Sequence, residues 1–419
     1  MKIGMLSQWF DPEPGPAAIP GVLAREFHQL GHSVKVLTGF PNYPDGRIYQ
    51  GYRQRLRYLT SEPDYDLTRV ALYPNHSSSA FGRIANYGSF GLSATVAGLN
   101  ALNGVDAVWV YNSPITVSLP LLAHTRRGRT PYFLHVQDLW PESLIESGMF
   151  PTGRAGDLTT RLVKRIVRTT ERRSAVVGVI SPSVREFILD RHPGLDPSKI
   201  VYVPNPTDEG LFVPMSEVRR RLSIRAESGV FTLMYVGSVG EVQGLDTLLG
   251  AAELLRDRQD LRIIIVGDGI ARERLEAHVR RHRLDHVSFT GRIPKVAVPE
   301  VMARADAQLV SLADSAFLRH TTPSKIASLL ASQVPIIGLI AGDGEKLLRE
   351  SGAAMTANPG DTVALAEAIS DLATMTEACR DGMARAGRRY YDENLSAKIV
   401  AERTVNALSL AIEGRSSSG

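Results

Sequence analysis

The sequence predicts an α/β protein of two domains, each a parallel β-sheet covered by helices. Three observations lead there. The 419 residues exceed one ordinary core and suit two domains of about 200 residues. Short apolar runs alternate with loops and helical stretches along the chain, the pattern of repeated strand–helix–strand units. That pattern is interrupted once, by the proline-bearing stretch from Pro204-Asn205-Pro206 to Pro214, which is short and stiff enough for an inter-domain hinge.

Taken in order, Lys2–Ser7 reads as the first strand. The loop Asp11-Pro12-Glu13-Pro14-Gly15-Pro16 follows, then a helix from about Gly21 to Leu30 that Gly31 can terminate in the left-handed conformation. Val34–Thr38 is the second strand, with a long irregular exit from Gly39 to Gly46. Leu67–Tyr73, Asp106–Tyr111, Tyr132–Val136, Val176–Ile180 and Ile200–Val203 complete the first domain, residues 1–205. The stretch from Arg83 to Leu99 is apolar and rich in small residues. Its polar face lacks clustered lysines, so a core helix is favoured over an element that touches a membrane. The second domain, residues 206–395, holds Phe231–Val236, Leu261–Val266, His286–Thr290, Ala307–Leu312, Val334–Ile337 and an edge strand at Ala353–Thr356. Residues 396–419 read as a helix, Ser396 to about Leu410, and a fraying tail.

Composition removes several function classes. A hydrophobic content of 43% with 22% charged residues is that of a soluble globular protein. The single cysteine, Cys379, excludes a disulfide framework and a thiolate zinc cluster, and suits a reducing, cytoplasmic setting. No apolar run is long enough to cross a membrane, and Met1 to Phe10 lacks a signal-peptide pattern. The net charge of +4 suits an anionic small molecule or membrane surface. Without basic runs interleaved with aromatics, nucleic acid is not an expected partner.

Chemistry concentrates in the second half. Three successive strands end in glycine, at Tyr235-Val236-Gly237, Ile265-Val266-Gly267 and Phe289-Thr290-Gly291. In an open α/β sheet the ligand sits at the carboxyl ends of strands, where a side chain would block its approach. The loop Gly237-Ser238-Val239-Gly240 offers main-chain amides to a phosphate. Arg292 follows the third glycine. Lys325 lies in Thr321-Thr322-Pro323-Ser324-Lys325, which reads as a helix start with a hydroxyl cap and an anion-binding first turn. In the first half, His135-Val136-Gln137-Asp138 ends a strand, and Asp138 can orient a hydroxyl or stabilise a developing positive charge. The competing reading of Asp138 is a helix cap, His135 reads more readily as packed strand, and an exposed Glu142 near a helix start needs no function. Trp9, Trp109 and Trp140 read first as core, with Trp9 and Trp140, near predicted strand ends, kept as candidate ligand platforms. Asp64-Tyr65-Asp66 reads as a turn, and no His/Asp/Glu spacing suggests a metal. No nucleophile elbow or P-loop occurs.

These residues resemble a family. The segments 235–249 (Tyr-Val-Gly-Ser-Val-Gly-Glu-Val-Gln-Gly-Leu-Asp-Thr-Leu-Leu), Ile265-Val266-Gly267-Asp268-Gly269, Phe289 to Pro294 and Pro323-Ser324-Lys325 are similar to glycosyltransferase family 4, of the GT-B fold. Leu37 to Pro44, Asp138 to Ser143 and Val203 to Asp208 agree, and the nearest likeness is to the branch that builds O-antigen and colanic-acid polysaccharides. The resemblance implies two Rossmann-like domains facing across a cleft, with the acceptor in the first, a nucleotide sugar in the second, and a last helix returning to the first. It implies transfer with retention, no metal and no cofactor beyond a UDP- or GDP-sugar co-substrate. Gly237, Ser238, Arg292 and Lys325 would hold the diphosphate. Gly267, Gly291 and Ile293 would line the base, and Gly15 would lie beneath phosphate and sugar. Gly240, Thr322, Ser324 and Ser328 join the donor side, and Trp9, His135, Trp140 and Glu142 the acceptor side. The expected acceptor is a lipid-linked glycan or a small molecule, with peripheral membrane contact for the former. Two departures stand out: His320 and Ser328 occupy the places of the usual glutamate pair, and Gln243 that of a lysine. A nucleotide-sugar epimerase and a non-catalytic sugar-nucleotide binder are the competing functions.

Overall fold

The computed structural model describes residues 1–76, 80–127, 130–142, 154–224 and 229–416. The chain divides into two compact units, Met1–Asn205 with Ala397–Gly419, and Pro206–Ser396.

The first unit contains β1 (Lys2–Leu6), α1 (Ile19–Gln29), β2 (Ser33–Gly39), β3 (Arg57–Ser61), β4 (Asp66–Val70), α2 (Ala80–Ser93), β5 (Ala107–Asn112), α3 (Ser118–Arg127), β6 (Tyr132–Val136), α4 (Arg154–Arg173), β7 (Val176–Val179), α5 (Ser183–Arg191) and β8 (Ile200–Tyr202). Its sheet runs β3-β4-β2-β1-β5-β6-β7-β8, parallel except for β3 against β4. Strands β1, β5, β6 and β7 are buried on both faces, as a sheet covered by helices requires. Strand order reverses between β1 and β5, which makes their carboxyl ends the switch point where open α/β sheets bind ligands.

Several boundaries differ from the sequence reading, each for a local reason. Helix α1 starts at Ile19 because Pro20 suits a first helical turn. Strand β4 stops at Val70, where the next amides leave the ladder for Leu56 O, Gln54 Oε1 and Ser89 Oγ. Strand β3 was not expected, since it is an edge strand with Leu59 59% exposed and no apolar run to announce it. Asp64-Tyr65 lies in the β3–β4 turn, closed by Glu62 N donating to Tyr65 O at 2.9 Å. In the stretch from Arg83 to Leu99, Asn86, Phe90 and Ala94 are buried, while Ile84, Leu92 and Val96, with Phe81 just before it, stand exposed along the other side. The helix is therefore core on one face and apolar surface on the other. Ser143 and Ser417–Gly419 lie outside the described residues.

The second unit contains α6 (Met215–Leu222), β9 (Phe231–Val236), α7 (Asp246–Leu254), β10 (Leu261–Val266), α8 (Arg272–His282), β11 (Val287–Gly291), α9 (Val298–Met302), β12 (Ala307–Ser311), α10 (Ser324–Ala331), β13 (Ile336–Leu339), α11 (Asp343–Ser351), β14 (Ala354–Ala357), α12 (Thr362–Thr374) and α13 (Glu377–Asn394). Its parallel sheet has the order β11-β10-β9-β12-β13-β14, with the switch point between β9 and β12. Strand β13 begins two residues later than expected, after Pro335. The core is aliphatic: Leu233, Leu248, Ile263 and Leu309 pack on one side, and Ile326, Leu330, Ile336 and Leu348 on the other. The chain then returns through α14 (Ala397–Ser416), whose Val400, Ala401 and Leu408 pack with Leu23, Phe27 and Trp109 of the first unit.

Candidate active site

In the second unit, the carboxyl ends of β9, β10 and β11 interlock. Gly237 N donates to Val266 O, Gly267 N to Gly291 O and Val239 N to Asp268 O, each at 2.9 Å. The approach is close enough to dictate glycine. At Gly267 (φ +144°) a Cβ would stand 1.8 Å from Gly237 O, a backbone atom that cannot swing away. At Gly237 the space a side chain needs is taken by Lys325 Nζ, 2.8 Å from the Cβ position.

Lys325 defines the site. Helix α10 points its first turn at the end of β9, and the Lys325 ammonium lies 3.7 Å from the centre of the Tyr235 ring. A cation over an aromatic face gains electrostatic attraction from the ring quadrupole. The Tyr235 hydroxyl, donating 2.7 Å to Ser238 O, fixes the ring and the loop together. No carboxylate among the described residues pairs with Lys325, and burial pulls its pKa down from 10.5 to about 7. A desolvated lysine with no counter-ion, beside backbone that only glycine permits, is ready-made for an anion.

The amides differ from expectation. In Gly237–Gly240, three of four are already used: Gly237 N and Val239 N as above, and Gly240 N by Gln243 Oε1 at 3.0 Å. Gln243, in the place of the usual lysine, thus closes its own turn, and Gly240 is not a phosphate donor. Ser238 N is left as this loop's unpaired amide among the described residues. Helix α10 supplies the rest: Pro323 occupies its cap position, no side chain caps it, and so the expected hydroxyl cap is absent. Its first amides, at Ser324 and Lys325, face outward from a positive helix end. Thr322 and Ser324 flank that turn. Arg292 is exposed directly after β11, and Ile293 packs with Met234, Val266 and Ala305. Ser328 does not offer a free hydroxyl: it is hydrogen-bonded to Thr207 Oγ1 at 2.8 Å.

In the first unit, the ends of β1, β5 and β6 assemble a second group. Asp138 accepts from Ser113 Oγ at 2.7 Å; burial raises its pKa and the Ser113 bond opposes that rise. The helix that Asp138 could cap lies outside the described residues beyond Glu142. Burial also raises the Tyr87 phenol; Arg83 opposes this and the Asp138 charge adds to it. Trp9 packs on Tyr43 at 5.8 Å and Tyr87 at 6.3 Å, and His76 meets both tyrosines. Beneath lies Glu13, 2% exposed, accepting from Phe10 N, Asn42 N and Tyr43 N. Burial pushes its pKa up to about 7 against those donors and Arg69. Glu13 clamps the loop bearing Gly15, which is exposed, at φ +66°, with open space above it.

Three acceptor-side candidates fall away. His135 is fully buried among Trp109, Tyr111 and Phe133; Nε2 sits 2.8 Å from Val203 O, and burial lowers its pKa to about 4. Trp140 is 7% exposed, a core residue, like Trp109. Glu142 accepts from Arg191 at 3.0 Å, in a network with Glu171 and His192. Sequence reasoning missed Tyr235, Ser113, Tyr87 and Glu13; of these only Glu13, an acid between two prolines in a glycine loop, carried a signal. It also missed Glu253, His278 and His282, whose ligand atoms lie within 4.8 Å of one another, although His278 and His282 stand four residues apart, a metal-like spacing.

Residues 230–375 match the family model described as "Glycosyl transferases group 1", and residues 15–206 match "Glycosyl transferase 4-like domain". Together they take in both switch points. The chain belongs to glycosyltransferase family 4 and has the GT-B fold. Among curated relatives it is similar to WcaI of Escherichia coli, named for colanic acid biosynthesis, with 26% identity over 79% of this chain and 81% of that one. It is also similar to the glycosyltransferase WbjE of Pseudomonas aeruginosa, at 23% over 68% and 70%. Solved structures share the fold: Anabaena HepE in complex with UDP and glucose has a TM-score of 0.67 at 15% identity, covering 98% of this chain and 99% of that one. Sucrose-phosphate synthase of Thermosynechococcus elongatus gives 0.68 at 17%, covering 99% of each.

Proposed function

We propose that this glycosyltransferase moves a hexosyl unit, with retention and without a metal, from a UDP- or GDP-sugar to a lipid-linked glycan in polysaccharide assembly. One observation carries the donor side: Lys325, partly buried over Tyr235 without a counter-ion among the described residues, faces the glycine-lined edge of β9 and β10. A departing nucleoside diphosphate supplies the missing charge. Its negative charge grows as the glycosidic bond breaks, so Lys325, Arg292 and the first amides of α10 bind the transition state more tightly than the ground state. That is the electrostatic work a metal does in other sugar transfers. A relative of the same fold holds UDP and glucose, which supports a uridine or similar diphosphate donor.

Asp138 takes the acceptor side. Held by Ser113, it orients a sugar hydroxyl, while Trp9, Tyr43 and Tyr87 offer apolar faces for a sugar ring. The lipid-linked acceptor is supported by the exposed apolar side of α2 and by α4, which carries Arg161, Lys164, Arg165, Arg168 and Arg172. Such surfaces suit the boundary of an anionic membrane. The relative named for colanic acid biosynthesis points the same way.

The test is transfer from labelled UDP- and GDP-hexoses to polyprenyl-diphosphate sugars and to soluble sugars, with product configuration read by NMR. An α-linked donor gives an α-linked lipid product, and Lys325→Ala and Arg292→Ala each lower turnover roughly tenfold or more, about 1.4 kcal/mol in barrier. Inverted product, or wild-type turnover in both variants, removes the assignment.

A further inference from the structure

Away from the strand edge, the far ends of α7 and α8 bring three ligating side chains together. His278 and His282 lie one turn apart near the end of α8, so both imidazoles leave the same helix face. Their rings stack with centroids 4.3 Å apart and 8° between planes. Glu253, in the last turn of α7, reaches both: Oε1 is 2.6 Å from His278 Nε2, and Oε2 is 3.3 Å from His282 Nδ1.

That is the spacing of a coordination sphere. Two nitrogens and a carboxylate oxygen bound tetrahedrally at about 2.0–2.2 Å stand roughly 3.3 Å from one another. The donor atoms here fall within 4.8 Å of one another, and the carboxylate already meets each imidazole through one of its two oxygens, so small side-chain rotations bring the three donors to that edge length. The donor chemistry fits as well, because neutral imidazole with one carboxylate suits zinc and its neighbours rather than magnesium or calcium. Each side chain is about one-third exposed or less, open enough for an ion and a water to enter. Among the described residues the competing cation is Arg256, whose guanidinium stands 3.8 Å from Glu253 Oε2 and is itself half-exposed, so an arriving ion displaces it readily.

We infer that Glu253, His278 and His282 form a binding site for a divalent transition-metal ion of the zinc class, with water in the fourth position. The ion does not take part in sugar transfer. Arg272, at the start of α8, borders Gly291 of the donor edge, and His282 stands roughly 15 Å further along the helix. The ion instead ties α7 to α8, the two helices that follow β9 and β10, and so stiffens the strands whose ends carry Gly237 and Gly267. The site stands on its own geometry and does not depend on the donor assignment.

The experiment uses the full chain, freed of metal by chelation, with zinc chloride as probe for calorimetry and thermal melts and cobalt(II) as a spectroscopic reporter. The wild type is expected to bind one zinc equivalent and to gain about 3–8 °C in Tm at an excess of the ion. Cobalt is expected to give the intense visible absorption of a four-coordinate site. The doubly substituted chain His278→Gln, His282→Gln loses the equivalent, the Tm gain and the cobalt band, while Lys325→Ala and Cys379→Ser keep all three. Should the double variant not fold, Glu253→Gln is expected to lose the tetrahedral cobalt spectrum and at least tenfold in zinc affinity. The proposal is overturned if the wild type shows no zinc-dependent gain, if the histidine variant gains as much as the wild type, or if Cys379→Ser abolishes binding. Sugar transfer that survives chelation agrees with the structural role, and transfer that stops with chelation and returns with zinc in the histidine variant contradicts it.

Discussion

A lysine held in protein without an anion is costly to keep, since burial removes the water that stabilises its charge. The depressed pKa of Lys325 is the measure of that cost. It has a pH signature whose sign is fixed. The folded chain holds this proton less tightly than the unfolded one, so the ligand-free protein gains stability as pH rises from about 7 towards 10.5. Diphosphate binding runs the other way, because only the ammonium pairs with it. Affinity for UDP or GDP is therefore expected to be level below about pH 6 and to weaken above 7, by up to tenfold per pH unit until the proton held in the complex is also lost. Lys325→Arg, always charged, removes the slope. Isothermal titration across pH 6 to 9 checks this, and a wild-type affinity that does not change with pH contradicts it.

At the scale of an element, the donor edge is three strand ends held in mutual contact, and it depends on glycine more than on any polar group. Gly267→Ala places a methyl carbon against Gly237 O. The strain and overpacking are expected to destabilise the second unit by about 2 kcal/mol or more, lowering its Tm by roughly 4–8 °C and weakening nucleotide binding with it. A melt identical to wild type would show that the strand ends have room to spare. This edge was legible in sequence because backbone crowding leaves a direct trace, glycine, at the crowded residue. The loop amides were not legible. Whether Gly240 N is spare depends on Gln243 folding back on it, and a loop composition rich in glycine says nothing about which amides are already bonded. The same limit hid Ser113 beside Asp138 and Tyr87 beside Trp9, which sequence separates by 25 and 78 residues and only strand order brings together. Edge strand β3 escaped for another reason: half its side chains face solvent, so it never shows the apolar run of a buried strand.

At the scale of the whole molecule, the chain builds one unit, then the other, and returns to finish the first. Helix α14 supplies Val400, Ala401 and Leu408 to a core made otherwise by residues before 206. Ending the chain at Ser396 uncovers α1 and the face of β1 and β5 beneath it. Losing three buried aliphatic contacts is expected to cost several kcal/mol, at about 1.5–3 kcal/mol for each fully buried large side chain. The melt of the truncated protein is expected to separate into an early transition for the first unit and an unchanged one for the second. A single transition at the wild-type temperature contradicts the role given to α14. The repeated strand–helix pattern and the proline-bearing stretch near Asn205 sufficed to foresee two α/β halves, because chain length and apolar periodicity are set by the size of a core. The polar groups within them were foreseen only where a motif held them close in sequence.

The most direct test of the central claim is calorimetric titration of UDP and GDP into the wild type and into Lys325→Met at pH 7. One nucleoside diphosphate is expected to bind the wild type with a stoichiometry of one, and the methionine variant to bind it at least tenfold more weakly while melting no lower. No binding of either nucleotide at millimolar concentration, or equal affinity in the two proteins, contradicts the account.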